Sequence, residues 1–212
     1  MFFRTPAILP ALFPKLEWRI KTNKKEIFLT FDDGPIPGPT EFVLETLKEF
    51  AAKATFFSIG DNVAKHPKIF SQIIEDGHSV GNHTFNHLKG WNYTTEEYLT
   101  NVEACARQLK SAVISPLSTV DRCLFRPPYG RITLDQIKNL KTNYRIIMWD
   151  VLSQDYNKSI SEAKCLAGTI NATRHGSIAV FHDSLKAKRN LQYVLPRYLE
   201  HFSNLNYIFS AL

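Results

Sequence analysis

Cysteine is scarce in this chain, with 3 among 212 residues. Cys105, Cys123 and Cys165 lie in or beside apolar segments, and their odd number prevents all of them from pairing within one chain. We therefore expect buried free thiols rather than a disulfide framework. This pattern mildly favours a reducing compartment, and the spacing of the cysteines indicates no metal site.

Long apolar runs are also absent. Residues 7–13 form a short apolar stretch that a proline interrupts, far below the ~20 residues of a membrane span, and no clear cleavage site follows. We expect no transmembrane segment, no cleavable signal peptide, and a location that is cytoplasmic or peripheral to the cell envelope. Residues 1–24 are expected to pack on the base of the main domain, residues 25–212. Weak interfacial membrane contact is the less favoured alternative. Its candidate residues are Phe2, Phe3, Arg4, Lys15 and Trp18.

Acidic residues are fewer than basic ones, 20 against 26, which gives a net charge of +6. The lysines and arginines are dispersed and no nucleic-acid-binding motif is present, so a nucleic-acid partner is not expected. The densest basic cluster is Lys186 to Arg189. It is either a solvated helix face or a means of attracting an anionic substrate toward a nearby site.

Apolar segments of strand length alternate with helix-like segments along the chain, without repeats or long linkers. Strands are predicted near 26–33, 54–60, 78–83, 122–126, 144–150, 177–182 and 206–210. Helices are predicted near 40–52, 61–76, 94–111, 133–141, 160–173 and 185–203, with Thr40 and Thr94 as N-caps. This order predicts a single α/β domain with about seven parallel strands. A full eight-unit barrel needs ~250 residues, so a distorted or shortened (β/α) barrel is expected.

Two aspartates, Asp32 and Asp33, end the first predicted strand and enter a Gly-Pro turn. Adjacent strand residues normally face opposite ways, but the break at Gly34 allows both carboxylates to face one cavity. Farther along, His83 and His87 are spaced i, i+4, which predicts two imidazoles on one face of a helical turn. Each motif alone also fits a simple turn or a surface accident. Together they suggest a metal-dependent hydrolytic site.

Three further groups follow at predicted strand ends. Arg126 lies in the rigid turn Phe125-Arg126-Pro127-Pro128-Tyr129-Gly130, where its guanidinium suits a bidentate grip on a carboxylate. Asp155 lies in the segment from Trp149 to Tyr156, and His182 ends the strand Ser177 to Phe181. Acids, a basic group and a histidine therefore recur where strands end, which is where alternating β/α folds build their sites.

In this order, the five segments resemble the signature motifs of the polysaccharide deacetylases, the NodB homology domain of carbohydrate esterase family 4. The resemblance runs from about Lys25 to the C-terminus and implies a NodB-type distorted barrel. It implies that Asp33, His83 and His87 bind one divalent metal ion, most often zinc, with cobalt, nickel or manganese as alternatives. The other roles implied are Asp32 as base, Arg126 as its partner, the Tyr129 N–H at the oxyanion, His182 as acid and Asp155 as its partner.

Two positions depart from the family pattern. Tyr156 stands where the family has Trp, and Val180 stands where a Leu is usual. Both resemble residues that wall the acetyl pocket, so we assign them, with Pro128, as candidate substrate-binding residues. Trp91 joins them because an exposed indole after His87 can stack on a sugar, although a core-anchoring role fits equally well.

The function expected is metal-dependent removal of N-acetyl groups from an amino-sugar polymer or oligomer, such as chitin or peptidoglycan, with release of acetate. One alternative is an O-acetyl esterase or small-amide hydrolase on the same scaffold. An alternative of another class is a catalytically silent glycan-binding domain, although each expected catalytic group is present.

Overall fold

The structure, a computed structural model, describes residues 2–112 and 124–212. In these residues, strands alternate with helices. The strands are β1 (Glu26–Asp32), β2 (Thr55–Ser58), β3 (Ser79–Asn82), β4 (Leu124–Phe125), β5 (Arg145–Ile146), β6 (Val151–Leu152), β7 (Ile178–His182) and β8 (Ile208–Ser210). The helices are α1 (Ile8–Leu12), α2 (Pro39–Glu49), α3 (Gly60–Lys65), α4 (Pro67–Glu75), α5 (Thr95–Ser111), α6 (Leu134–Leu140), α7 (Glu162–Ala172) and α8 (Lys188–Asn204), with 3-10 turns at Gly90–Asn92 and Pro128–Gly130.

The strands form one parallel sheet in the order β5-β4-β3-β2-β1-β7-β6, with β8 beside the start of β1. β5 and β6 end this order, yet only residues 147–150 separate them in the chain. Ile147 donates its N–H to the carbonyl of Phe125, and Asp150 donates to that of Ile178. This segment therefore bridges the two sides of the sheet and curls it into a distorted (β/α) barrel, which confirms the predicted fold.

The sheet is buried on both faces, which is typical of parallel strands covered by helices. In β1 every residue from Ile27 to Asp32 is buried. Phe31 stacks on Phe56 of β2 and Phe181 of β7, with ring centroids 5.1 and 5.9 Å apart. This packing fixes the carboxyl ends of the central strands relative to one another, which is where the candidate residues lie.

One strand prediction needs correction, and a second is described only in part. Residues 144–150 do not form one strand, because β5 pairs with β4 and β6 pairs with β7 at the opposite end of the sheet order. One extended strand cannot pair at both places, so the segment is broken by the irregular bridge between them. The predicted strand at 122–126 is described only from Leu124, and its first residues lie outside the described part of the chain.

Two helix predictions also need correction. The predicted helix at 61–76 is two helices, since Pro67 begins a new one after His66. Thr40 is not an N-cap: α2 begins at Pro39, which suits the first helical position. The prediction for Thr94 is confirmed, because its hydroxyl accepts the Glu97 N–H and the Glu97 carboxylate accepts the Thr94 N–H.

The N-terminal segment lies along the bridge between β5 and β6. Thr5 donates its N–H to the carbonyl of Asp150, and Glu17 donates to that of Ile146. Phe3 packs against the main core, and only the last part of the segment, near Arg19, meets the start of β7 at the base of the barrel. The domain boundary at residue 24 stays a prediction. In the described residues, no helix has the length and apolar character needed to cross a membrane.

Both described cysteines, Cys105 and Cys165, are buried free thiols, as predicted. Burial raises the pKa of each thiol to about 12. They therefore stay protonated near pH 7 and act as small apolar side chains. Cys123 lies outside the described residues.

Candidate active site

The site begins at the carboxyl end of β1. The strand ends at Asp32, and Asp33 has a φ of 85°, a left-handed conformation that breaks the alternation of side chains. Both carboxylates consequently line the same cleft. Gly34 is needed next, because a Cβ at that position would overlap the carboxylate of Asp183.

Asp33, His83 and His87 lie together, with one potential ligand atom from each within 4.8 Å of the others. A carboxylate oxygen of Asp33 lies 3.2 Å from Nε2 of His87 and 3.8 Å from Nε2 of His83. Nδ1 of His83 lies 2.8 Å from the carbonyl oxygen of Arg126, so it donates there and leaves Nε2 as the ligand atom. The structure thus brings together the three residues that the sequence predicts as metal ligands.

The charge states of this cluster fit a divalent cation. Burial lowers the pKa of His83 to about 4, so its ring is neutral near pH 7. Burial opposes ionisation of Asp33, but its hydrogen bond with His87 and the charges of nearby histidines outweigh this and lower its pKa. Neutral imidazoles and an ionised carboxylate are the forms that bind a metal. Two nitrogens and one oxygen leave coordination positions open, which is typical of a catalytic ion.

The two histidines do not lie on a helical turn, so that prediction is wrong. Residues 83–87 form an irregular loop after β3, in which Thr84 and His87 have φ values of 62° and 55°. The side-chain oxygen of Asn101 in α5 accepts the N–H groups of Phe85 and Asn86. The left-handed φ values at Thr84 and His87 are incompatible with a right-handed helical turn, and the hydrogen bonds to Asn101 stabilise the loop instead.

Asp32 is buried and bound to Arg126, whose side chain is fully buried. One guanidinium nitrogen lies 2.7 Å from Asp32 and 2.7 Å from the hydroxyl of Thr30. A second nitrogen donates at 2.9 Å to the carbonyl of Met148 in the barrel bridge. The expected bidentate grip is therefore wrong: one nitrogen contacts the carboxylate, and the other holds the backbone that closes the barrel.

Asp155 lies beneath His182. Its two oxygens accept the His182 backbone N–H at 2.7 Å and the ring Nδ1–H at 2.8 Å. This pairing fixes the ring and leaves Nε2 free to exchange a proton in the cleft. Burial opposes the charged form of His182, but Asp155, with help from Asp32 and Asp33, outweighs it and raises the pKa to about 9.

Asp183 supports the site from within the core and was missed by the sequence reasoning. Its carboxylate accepts the Gly34 N–H at 3.0 Å and the Thr40 hydroxyl at 2.6 Å. Burial raises its pKa to about 8. Asp183 thereby ties the turn that carries Asp33 to the first turn of α2. Its place directly after His182 was the signal available in the sequence.

These groups open into one cleft with a volume of about 520 Å³. Tyr129, Tyr156 and Val180 line it, whereas Pro128 and Trp91 are not among its lining residues. The Tyr129 ring packs on His87 at 4.6 Å between centroids, and the Tyr156 ring meets that of His182 at 5.0 Å. The indole of Trp91 is 55% exposed, which argues against a core-anchoring role, so stacking on a sugar stays a prediction.

Further residues line the cleft, and of these only Lys186 was anticipated, as part of the basic cluster near the site. Trp149 and Leu152 add apolar surface, and three basic residues stand among the walls. The basic residues are Lys89, Arg131 and Lys186. Leu152 was identifiable in principle because it lies within the Trp149-to-Tyr156 segment, but Lys89 and Arg131 belong to loops whose course depends on tertiary contacts.

Comparisons with a family model and with known proteins all point to the same protein family. Residues 19–145 match the family model described as polysaccharide deacetylase. A peptidoglycan-N-acetylglucosamine deacetylase of Bacillus cereus is 30% identical over 91% of this chain and 88% of its own. A chitooligosaccharide deacetylase of Azorhizobium caulinodans is 37% identical over 78% of this chain and 77% of its own.

Among solved structures, a peptidoglycan N-acetylglucosamine deacetylase in complex with a substituted N-hydroxybenzamide superposes with a TM-score of 0.87 and 27% identity. The superposition covers 98% of this chain and 95% of the other. The family model spans more than half of the chain, and the similarity to that structure extends over the strand ends that carry Asp155 and His182. The chain therefore belongs to the polysaccharide deacetylase family.

Proposed function

We propose that this protein is a metal-dependent N-deacetylase that hydrolyses the acetamide of an N-acetylated amino sugar in a polymer or oligomer and releases acetate. One observation carries the proposal. A single cleft contains a metal-ligand cluster, a buried carboxylate paired with arginine, and a histidine paired with aspartate. Membership in the polysaccharide deacetylase family and the names of the relatives support the same reaction.

Asp33, His83 and His87 are the residues that would hold one divalent ion, with zinc expected first and cobalt, nickel or manganese as alternatives. When bound, such an ion lowers the pKa of a water molecule and polarises a carbonyl group. The protein's own part is to present His83 and Asp33 already deprotonated. The low pKa values of His83 and Asp33 achieve this at neutral pH.

Asp32 is proposed as the general base that removes a proton from the attacking water. Its hydrogen bond from Arg126 holds the carboxylate in one orientation toward the cleft. Because Arg126 is itself fixed by the carbonyl of Met148 and by the hydroxyl of Thr30, the base has little freedom to turn away.

His182 is proposed as the general acid for the leaving amine. An amine anion is a poor leaving group, so nitrogen must be protonated as the C–N bond breaks. With a pKa near 9, the ring is cationic near pH 7 and carries the required proton on Nε2. Asp155 keeps the ring oriented while the proton is transferred.

The remaining residues bind and position the substrate. The backbone N–H of Tyr129 is proposed to stabilise the developing oxyanion, and its ring packs on His87 beside the metal ligands. Tyr156, Val180 and Leu152 line the cleft around His182 and are proposed as walls of the acetyl pocket. Tyr156 gives this pocket a smaller ring than the Trp of the family pattern.

Acetate release from N-acetylglucosamine oligomers and peptidoglycan fragments tests the proposal. We expect zinc- or cobalt-loaded protein to release acetate, and Asp32→Asn or His182→Ala to lower the rate by about 10²–10⁴-fold while the metal still binds. Release by metal-replete Asp32→Asn at the rate of the unmodified protein would contradict the assignment of the base. Glycan binding without any turnover would instead favour the silent binding domain.

An O-acetyl esterase remains the second candidate, since an ester presents the same carbonyl to the cleft. The leaving alcohol needs less protonation than an amine, so an ester reaction depends less on His182. Matched N-acetyl and O-acetyl sugars should therefore respond differently to His182→Ala. Loss confined to the N-acetyl substrate, together with a higher N-acetyl rate in the unmodified protein, identifies the N-deacetylase.

A further inference from the structure

The rim of the catalytic cleft carries more positive charge than the proposed reaction uses. Lys89, Arg131 and Lys186 line the cleft, and none of them forms an ion pair with an acidic side chain within residues 2–112 and 124–212. The acidic lining residues, Asp32 and Asp33, are committed to Arg126 and to the histidine cluster. The cleft therefore retains three basic groups that have no acidic partner among the described residues.

The positive charge continues beyond the cleft into a second cavity of about 510 Å³. Lys186 lines both cavities, and Lys158 and Lys188 line the second. Arg189 also lines it but is paired with Glu162 at 3.3 Å. Within the described residues, the only acidic side chain in its lining is Asp155, which is engaged by His182. This second cavity is therefore a basic extension of the cleft.

The basic groups stand on both sides of the reacting centre. Lys89 follows β3 and Arg131 follows β4, whereas Lys158 follows β6 and Lys186 follows β7. In the sheet, β3 and β4 lie on one side of β1, and β7 and β6 lie on the other. An extended chain whose acetyl group lies beside Asp32 can thus meet basic residues in both directions.

Neighbouring aromatic rings help to place two of these groups. The ammonium of Lys186 lies 5.2 Å from the centre of the Tyr156 ring, at the wall of the proposed acetyl pocket. The guanidinium of Arg131 lies 4.2 Å from the Trp91 ring. These contacts restrict otherwise mobile side chains and keep the charges near the cleft.

We infer that the substrate is an anionic glycan whose sugars carry carboxylates beside the acetylated amino sugar, and that Lys158, Lys186 and Lys188 bind the carboxylate on one side of it. This inference rests on the proposed function and names the substrate class of the same cleft. A neutral chain of N-acetylglucosamine gains no charge interaction here, whereas carboxylates at the rim are attracted and oriented by basic groups that have no acidic partner in the described part of the chain.

Three glycans of equal length separate charge from shape. The first is the neutral N-acetylglucosamine tetramer. The second alternates N-acetylglucosamine with N-acetylmuramic acid, whose lactyl groups carry carboxylates. The third is the second glycan with those carboxylates converted to amides. We expect the metal-loaded protein to deacetylate the carboxylated glycan with a kcat/KM about tenfold above that of its amide, and to lose much of this preference as salt is raised.

A triple variant, Lys158→Gln with Lys186→Gln and Lys188→Gln, tests the basic extension. We expect the ratio of kcat/KM for the carboxylated glycan to that for its amide to fall about tenfold. The matched control replaces Lys21, Lys24 and Lys141 by Gln, which removes the same charge from exposed positions before β1 and after α6. The control should keep the ratio of the unmodified protein.

Binding to metal-loaded Asp32→Asn protein, measured by calorimetry, gives a second readout that does not need turnover. Tighter binding of the carboxylated glycan than of its amide, lost in the triple variant, supports the inference. Equal affinity and equal kcat/KM for the two glycans overturn it, while acetate release from either leaves the proposed function intact. No release from any glycan overturns the proposed function, and the binding measurement still decides the charge preference.

Discussion

At the scale of single residues, two carboxylates of the candidate site have partners of different chemistry. Asp32 and Asp155 are both buried, yet one is bound to a guanidinium and the other to an imidazole. The arginine stays charged at every accessible pH and therefore holds its carboxylate partner without titrating. The imidazole can lose its proton, so the carboxylate beside it sets the pH range in which the ring holds the proton that the proposed general acid needs.

The alkaline limit of the pH profile should follow His182. Its raised pKa, about 9, means that the protonated acid persists above neutral pH and is lost as the pH passes that value. We expect kcat on an N-acetyl substrate to fall on the alkaline side near pH 9. Asp155→Asn removes the main cause that raises the pKa of His182, while burial still lowers it. The fall in kcat should therefore occur at lower pH in this variant.

The measurement is kcat from pH 6 to 10, with metal content checked at each pH. Asp135→Asn, an exposed position on α6, serves as the control and should leave the profile unchanged. An alkaline limb that stays in place in Asp155→Asn would show that another group sets it.

At the scale of elements, the turn after β1 is held by the ends of two other elements. Asp183, directly after β7, accepts hydrogen bonds from Gly34 in the turn and from Thr40 in α2. The turn brings Asp33 beside His83 and His87. Its position therefore depends on the register of β1 against β7 and on the first turn of α2.

Removal of the Asp183 carboxylate should weaken the junction that it forms between the turn after β1 and the first turn of α2. Asp183→Ala leaves the buried Gly34 N–H and the Thr40 hydroxyl without their acceptor, and we expect the free energy of unfolding to fall by about 1–3 kcal/mol. Asp183→Asn keeps one acceptor oxygen and should lose less. Chemical denaturation measures both, and an alanine variant as stable as the unmodified protein would refute the role of this junction.

Whether the sequence could predict an element depends on how close in the chain the residues that stabilise it are. The start of α5 was predictable, because Thr94 and Glu97 form the capping box between themselves. The loop of His83 and His87 was not, because Asn101, far along the chain, accepts its N–H groups. Pro67 is plain in the sequence, but the helical periodicity of the residues on both sides led to the prediction of one continuous helix.

At the scale of the whole molecule, the barrel and the site share one anchor. Arg126 contacts Asp32 in the cleft, Thr30 within β1, and the carbonyls of Ile147 and Met148 in the segment that closes the barrel. Its guanidinium also lies 4.1 Å from the centre of the Phe57 ring. The sequence predicted a partner for Asp32, but it could not reveal that the same side chain closes the fold.

Arg126→Lys should therefore affect stability as well as activity. A lysine has one ammonium and cannot make all the contacts of the guanidinium, so we expect the unfolding free energy to fall by about 3–5 kcal/mol. Arg145→Lys, at a partly exposed pair with Glu17, should change it by about 0–1 kcal/mol. Thermal unfolding of the two variants compares them, and equal small effects would show that Arg126 does not anchor the barrel.

The site is assembled from the loops that follow β1, β3, β4, β6 and β7. Motif order was enough to predict which of these residues meet, because parallel strands present their carboxyl ends at one edge of the barrel. The basic rim was not predictable in the same way. Lys89 and Arg131 belong to no motif, and only the fold shows that they face the same cleft as Lys186.

The most direct test of the proposed function is a titration of chelator-treated protein with zinc, in which bound metal and acetate release from an N-acetylglucosamine oligomer are measured together. We predict that release rises with occupancy and saturates at about one ion per chain, in keeping with one cluster of two imidazoles and a carboxylate. Full acetate release by the metal-free protein would contradict metal-dependent deacetylation through Asp33, His83 and His87, as would the absence of release at full occupancy from both this oligomer and the carboxylated glycan.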